Sequence, residues 1–232
     1  MKTKKLIFSV LFFTFAIGLL SAQEKRNVRQ FDKISAGRAI QVYFTQSNSY
    51  SLEIEGDVDK IKKVTTQVEN KVLKISLEKD YNPKGKLDIK VYVSAPELKE
   101  INLSSAATFK CEKLERKGSF KIDLNSAAKV EINNLIVAKK IEINASSAAN
   151  CFISNLKANS CNLNASSTAK INIDIADSEK VKAEASSQAI VKMSGEIRNV
   201  TASASSGSNI DIRHLKYNNS EIKKSSGANI HQ

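Results

Sequence analysis

Seven copies of one short block constrain this chain more than any other feature. They begin at Ser104, Asn125, Ser146, Ser166, Ser186, Ser205 and Ser225, at spacings of 21, 21, 20, 20, 19 and 20 residues. Every copy has serine next, from Ser105 to Ser226, and two places further on come Ala107, Ala128, Ala149, Ala169, Ala189, Ser208 and Ala228. Apolar residues then recur at alternate positions. Phe109, Val130, Cys151, Ile171, Val191, Ile210 and Ile230 form one set after the block, and Ile101, Ile122, Ile143, Leu163, Ala183, Ala202 and Ile222 another before it. Strict alternation is the pattern of a half-buried strand. A period near 20 residues without a helical segment suits one coil of a solenoid, each repeat stacking ~4.8 Å from the last. The expected fold class is all-β: a β-solenoid, β-helix-like, with coils of about 20 residues.

In that register the small residues mark where the section is narrow or the chain turns, so a bulky side chain there finds no room. A second apolar anchor follows at Leu114, Leu135, Leu156 and Leu215, with Ile175 and Ile197 displaced by a residue. Asn102, Asp123, Asn144, Asn164 and Glu184 alternate with the buried set and read as the solvated face. Leucine-rich repeats share the period, but the L-x-x-L-x-L frame is absent. An antiparallel sandwich needs hairpin turns between strands, and the repeats hold no Asn-Gly or Asp-Gly.

Residues 1–22 read as a secretory leader. Lys2, Lys4 and Lys5 precede a run from Leu6 to Leu20 that is apolar apart from Ser9 and Thr14 and short for a membrane span, and Leu20-Ser21-Ala22 offers a cleavage site. No cysteine stands there for a lipid anchor. Export to the periplasm, cell surface or medium, without a transmembrane anchor in the mature chain, is expected. Removing the leader takes away three lysines and no acid, leaving 33 basic against 24 acidic side chains, a net charge of +9. That charge permits loose association with acidic polymers. The basic residues are spread through both halves, however, with no zinc-finger spacing, phosphate loop or aromatic-basic interleaving, so no specific nucleic-acid partner is expected.

Residues 27–100 are strand-like outside the repeat frame, with turns at Ser47–Ser49, Asn82–Gly85 and near Asn70, a strand pair Val64–Val68 and Val72–Leu77, and a short helix near Asp57–Lys63. No proline follows Pro96, as suits strands whose backbone donors all join ladders. The simplest division is a leader, 1–22, and one domain, 23–232, in which 27–100 supplies opening strands and a cap and 101–232 the seven coils.

Little points to chemistry. The serines recur in every coil, as structural residues do, and the histidines, His214 and His231, lie far from the cysteines. Cys111, Cys151 and Cys161 fall on apolar ladder positions and read as buried free thiols. Asp174, Asp177 and Glu184 are the nearest acidic group for a carbohydrate-cleaving enzyme, a role suggested only by analogy of fold. No catalytic, metal or cofactor-binding residue is assigned.

The mature chain resembles the auto-transporter adhesin head GIN domain family of exported Bacteroides-type proteins. The resemblance runs through Phe31–Gly37, Ile40-Gln41-Val42, Val68–Ile75 and Val93–Leu98 to the small-residue steps at Leu103–Ala107, Ser205-Ser206-Gly207 and Ser225-Ser226-Gly227. The family's step is often serine-glycine, whereas most steps here carry alanine, threonine or glutamine at the glycine position. The resemblance implies a β-helix-like fold and an adhesin-like role with no established catalytic residues. The expected function is a non-catalytic, adhesin-like or envelope-binding protein with a polysaccharide, cell-surface or matrix ligand. A structural or assembly protein is the alternative, a polysaccharide lyase or hydrolase the third reading. With the repeat frame running to Gln232, the expected state is a monomer or a weak homodimer through the C-terminal coil.

Overall fold

The structure, a computed structural model, describes residues 21–83, 85 and 87–232. The expected leader lies, up to Leu20, outside the described residues. The opening segment forms β1 (Ser21–Lys25), β2 (Lys33–Ala36), β3 (Gln41–Gln46), β4 (Ser51–Asp57), a one-turn helix α1 (Val58–Ile61), β5 (Val64–Glu69), β6 (Val72–Leu77) and β7 (Lys90–Ala95). The repeats form β8 (Glu100–Leu103), β9 (Thr108–Arg116), β10 (Phe120–Leu124), β11 (Lys129–Ala145), β12 (Asn150–Ala165), β13 (Lys170–Ala185), β14 (Ile190–Ala204), β15 (Asn209–Lys216), β16 (Asn219–Lys224) and β17 (Asn229–His231).

The repeats pair in parallel, like residue on like. Val130 faces Cys151, then Ile171, Val191, Ile210 and Ile230 in succession along the stack. The fold is the expected all-β solenoid, with all strands in one curled sheet. In the coil of β12, Cys151 and Ile153 point inward, then Leu156 and Ala158, then Cys161, Leu163 and Ala165. The alternation breaks between these groups, so each coil has three short faces around a thin core. Ladder contacts to the coils on both sides leave most of these side chains wholly buried. The three cysteines are buried free thiols, as expected.

Each small-residue block is a tight turn. In the block at Ser146, Ala149 N–H donates to Ser146 O at 3.1 Å, and the two central residues, Ser147 and Ala148, have φ of 52° and 62°. Positive φ at both centres belongs to a type I′ turn, usually built from Asn-Gly. Here the conformation closes a solenoid corner instead of a hairpin, and serine-alanine, serine-threonine and serine-glutamine adopt it. The inter-coil ladder passes through the corner unbroken. Ala106 N–H donates to Ser126 O (2.9 Å), Ala127 N–H to Ser147 O (2.9 Å) and Ala148 N–H to Ser167 O (2.9 Å). A backbone group turned along the axis finds its partner in the next coil, which offsets left-handed strain otherwise costing roughly 1–2 kcal/mol per L-residue. The alanine closing the turn is buried against its counterparts above and below, so a small side chain is required there.

The opening segment holds an eighth turn of this kind, at Gly37–Ile40. Arg38 and Ala39 have φ of 57° and 59°, Ile40 N–H donates to Gly37 O (3.3 Å), and Ala39 N–H continues the ladder to Ser105 O (2.8 Å). Spatial order departs from chain order here: β2 lies between β6 and β8, and β3 between β7 and β9, all parallel. Antiparallel strands then close this end, β5 on β6, β4 on β7 and β1 on β4, blunting an edge that would otherwise invite pairing. Helix α1 is capped by Asp57, whose Oδ1 accepts from Asp59 N–H and Lys60 N–H. Arg26 ties the cap together by donating to Val64 O (2.6 Å) and Ile61 O (3.1 Å).

One anchor is placed differently from the sequence reading. Ile175 aligns with Leu156, but the next coil presents Gly195 at that rung, and Ile197 aligns instead with Ser178. Gly195 has φ of 104°, and a Cβ there would lie 1.9 Å from Ile175 O. The coils are shorter in this region, and the register slips where a residue has been lost.

Candidate functional site

The turns shape the surface beside them. Because serine or asparagine opens each block, little side chain stands over the corner, and an open trough runs along the axis from Ser35 to Lys224 and Ser225. Its volume is about 790 Å³. One wall is the outward row Asn102, Asp123, Asn144, Asn164, Glu184 and Ser203; the other is the first residue of each block. The floor is Leu103, Leu124, Ala145, Ala165, Ala185 and Ala204, each 3–4% exposed. The row read from sequence as a solvated face is therefore the wall of a depression, and its first four members are half-buried.

The wall is hydrogen-bonded along the axis. Asn164 Nδ2 donates to Asn144 Oδ1 (2.8 Å), and Asn144 Nδ2 donates to Asp123 Oδ1 (2.7 Å) and Glu142 Oε1 (3.3 Å). Asn102 Nδ2 donates to Glu100 Oε1 (2.9 Å). Each carboxylate in or beside this wall has a lysine two residues away on its own strand or one coil along. Lys121 pairs with Asp123 (2.7 Å), Lys140 with Glu142 (3.0 Å), Lys182 with Glu184 (2.6 Å) and Lys33 with Glu100 (3.1 Å). The Lys140 ammonium, helped by the Asn144 amide, holds the Glu142 carboxyl below its usual range. On the opposite wall the hydroxyls of Ser146, Ser166 and Ser186 have no hydrogen-bond partner among the described residues.

The trough contains no aromatic ring. On another face Tyr43 and Tyr92 stack on each other (centroids 5.2 Å apart), and Lys129 covers Phe152 at 5.3 Å. The acids singled out in the sequence do not converge. Asp174 aligns with Ser194 on the first face, Asp177 with Lys157 at the second, and Glu184 with Asn164 in the trough. Among the described residues no three His, Cys, Asp or Glu side chains gather as a metal site. The thiols are deep in the core, where burial pushes Cys151 up to about 12 and Cys111 and Cys161 up to about 11.

The sequence pattern of the family described as "Putative auto-transporter adhesin, head GIN domain" matches residues 30–154 and, overlapping, 138–231. The chain belongs to the head GIN domain family. Solved structures agree in fold. A putative adhesin from Bacteroides fragilis NCTC 9343 is 19% identical, with a TM-score of 0.77 over 91% of this chain and 96% of its own. Another from Parabacteroides merdae ATCC 43184 is 20% identical, with a TM-score of 0.71 over 91% and 95%. A protein from Parabacteroides distasonis ATCC 8503, described as a putative lipid binding protein, is 18% identical with a TM-score of 0.68 over 91% and 96%. No curated protein matches the chain. As a head GIN protein it is an exported, adhesin-like solenoid. No helix among its described residues is long and apolar enough to cross a membrane.

Proposed function

We propose that this head GIN protein is a non-catalytic binding protein that holds an extended polymer of the envelope, host surface or matrix along the axial trough. The observation that carries this reading is the trough's translational repeat. One wall position and one corner position recur in coil after coil, so a ligand with its own repeat can make the same contact many times. Multivalent contact of that kind yields useful affinity from individually weak bonds. A compact substrate would use only one or two rungs of such a surface.

Retention of the mature protein on immobilised envelope and matrix polymers tests the reading. Ser146→Tyr combined with Ser186→Tyr fills the trough at two rungs, while Asn172→Tyr adds the same bulk on a different, exposed face. The double variant is expected to lose retention at unchanged thermal stability, and the Asn172 variant to keep it. Equal retention of all three excludes the trough as the binding surface. Release of reducing or unsaturated sugars during incubation would point to an enzyme instead, and ligand-independent assembly to a structural role.

A further inference from the structure

The chemistry of the trough narrows the class of polymer. The whole chain is basic, with 36 Lys and Arg against 24 Asp and Glu, and on composition alone a polyanion is an attractive ligand. The trough does not share that bias. Its charged lining residues are Asp123, Glu184, Lys223 and Lys224, two of each sign. Asp123, Glu184 and Lys223 are each already ion-paired to a strand neighbour, the last to Glu221 at 2.7 Å. Lys224, at the far end, is the one lining cation without an ion pair among the described residues. Polyanion binding scales with the number of phosphates or carboxylates a protein neutralises. A single free cation at one end offers almost nothing to an anionic chain lying along the rest.

The trough offers alternating donors and acceptors instead. Asn164 spends one N–H on Asn144 and keeps the other, Asn144 commits both of its own to Asp123 and Glu142, and the Ser146, Ser166 and Ser186 hydroxyls can both give and accept. An acyl chain can use neither capacity. An extended peptide can use both, but it repeats every ~3.3 Å along its length, out of step with rungs ~4.8 Å apart. Neither can it add as a strand, because the backbone groups beside the trough are committed to the inter-coil ladder. A pyranose unit spans roughly one rung, carries hydroxyls on its rim for the two walls, and can lie over a floor whose own side chains turn into the core and carry no charge.

We infer that the trough takes a neutral, hydroxyl-rich glycan chain lying parallel to the solenoid axis, successive sugars meeting successive coils. This rests on the trough being the binding surface, as proposed above. From Ser35 to Lys223 the wall counts eight rungs, so the occupied length is about 34 Å.

Affinity electrophoresis of the mature protein tests this with soluble mannan, laminarin and cello-oligosaccharides as neutral probes, heparin as an anionic one, and phosphatidylcholine vesicles in a parallel flotation assay. Wild type is expected to be retarded by at least one neutral glycan, with little change between about 0.05 and 0.5 M salt. Ser146→Tyr/Ser186→Tyr should weaken that retardation at least tenfold, and Asn172→Tyr should leave it intact. Far-ultraviolet circular dichroism and melting confirm that the variants are folded. Binding to heparin or vesicles that the double variant abolishes, with none to neutral glycans, overturns the inference on ligand class and leaves the trough in place. Neutral-glycan binding that the double variant does not affect overturns the trough itself. Failure of every neutral glycan to retard wild type overturns the inference.

Discussion

The left-handed corners allow a reciprocal test in one protein. Ala148 sits at the second centre of its turn with φ of 62°, and Gly207 occupies the same place three coils further on, after Thr168 and Gln188, with φ of 68°. Wait for a steric cause at Gly207 and there is none: a Cβ there would meet only Gln188 Cγ, at 3.8 Å. The two positions therefore differ in backbone preference alone. An L-residue in this region costs about 1–2 kcal/mol. Glycine escapes that cost but loses about 0.5–1 kcal/mol more conformational entropy on folding than alanine. Ala148→Gly should consequently stabilise by about 0.5–1 kcal/mol, and Gly207→Ala should destabilise by a similar amount. Thr168→Gly should gain at least as much as Ala148→Gly, because a β-branched side chain suits positive φ least. Combining adjacent turns need not add, since neighbouring coils share hydrogen bonds. Urea unfolding at constant m reads each change directly. Loss of stability in Ala148→Gly, or no loss in Gly207→Ala, would refute the claim that left-handed strain is present at these corners.

Four further predictions concern the core, the thiols, the surface charges and the C-terminal end. Ala149→Leu should cost about 1–3 kcal/mol by overpacking a wholly buried rung between Ala128 and Ala169, whereas Asn150→Lys, which gives up one exposed bond to Ala148 O, should shift the unfolding midpoint little. Thiol titration should find none of the three cysteines reactive in the native protein at about pH 8 and all three after denaturation. Hydrogen bonds from Lys129, Lys140 and Lys223 hold Glu131, Glu142 and Glu221 below their ordinary value of 4.5, so their contribution is complete above that value and is lost as pH falls through the lower folded values. Unfolding midpoints measured from about pH 6 to pH 3 should therefore fall only in the acid limb. At the C-terminal end Lys224 takes the inward place held by Ala204 one coil earlier, and Ser220 that of Val200, so a further coil stacked there would bury a charge. Of the two expected association states this favours the monomer: sedimentation should show Lys224→Leu associating at concentrations where wild type stays single, and Ile230→Lys reversing it.

What could be read in the sequence was what recurs in register. Parallel stacking sets like residue on like, so the ladders of Val130, Cys151 and Ile171 or of Ala128, Ala149 and Ala169 are visible in one chain without a relative. Features that depend on distant pairing were not visible. Gly37–Ile40 makes the same turn as the seven blocks, but only Ala39 matches them, with Arg38 in place of the constant serine and Ile40 in place of the small closing residue, because the turn constrains φ more than composition. The insertion of β2 between β6 and β8 follows from strand pairing across long separations and leaves no local mark. The trough falls between the two cases. Alternation placed Asn102, Asn144 and Asn164 outward, and the small opening residue of each block was plain. That the two rows border one depression follows only once the corner is known to be a tight left-handed turn. The Ser-Gly steps at Ser206 and Ser226 were the signal for that turn; the non-glycine steps concealed it.

Hydrogen exchange with a bound polymer tests the central claim most directly. The wild-type protein is labelled alone and with whichever polymer retains it, and protection is compared coil by coil. A ligand lying along the axis should protect the corners at Ser105, Ser126, Ser147, Ser167 and Ser187 together, while the exposed face carrying Asn172 and Lys192 exchanges as before. Protection confined to one coil, or found on the Asn172 face and not at the corners, would contradict an axial binding trough.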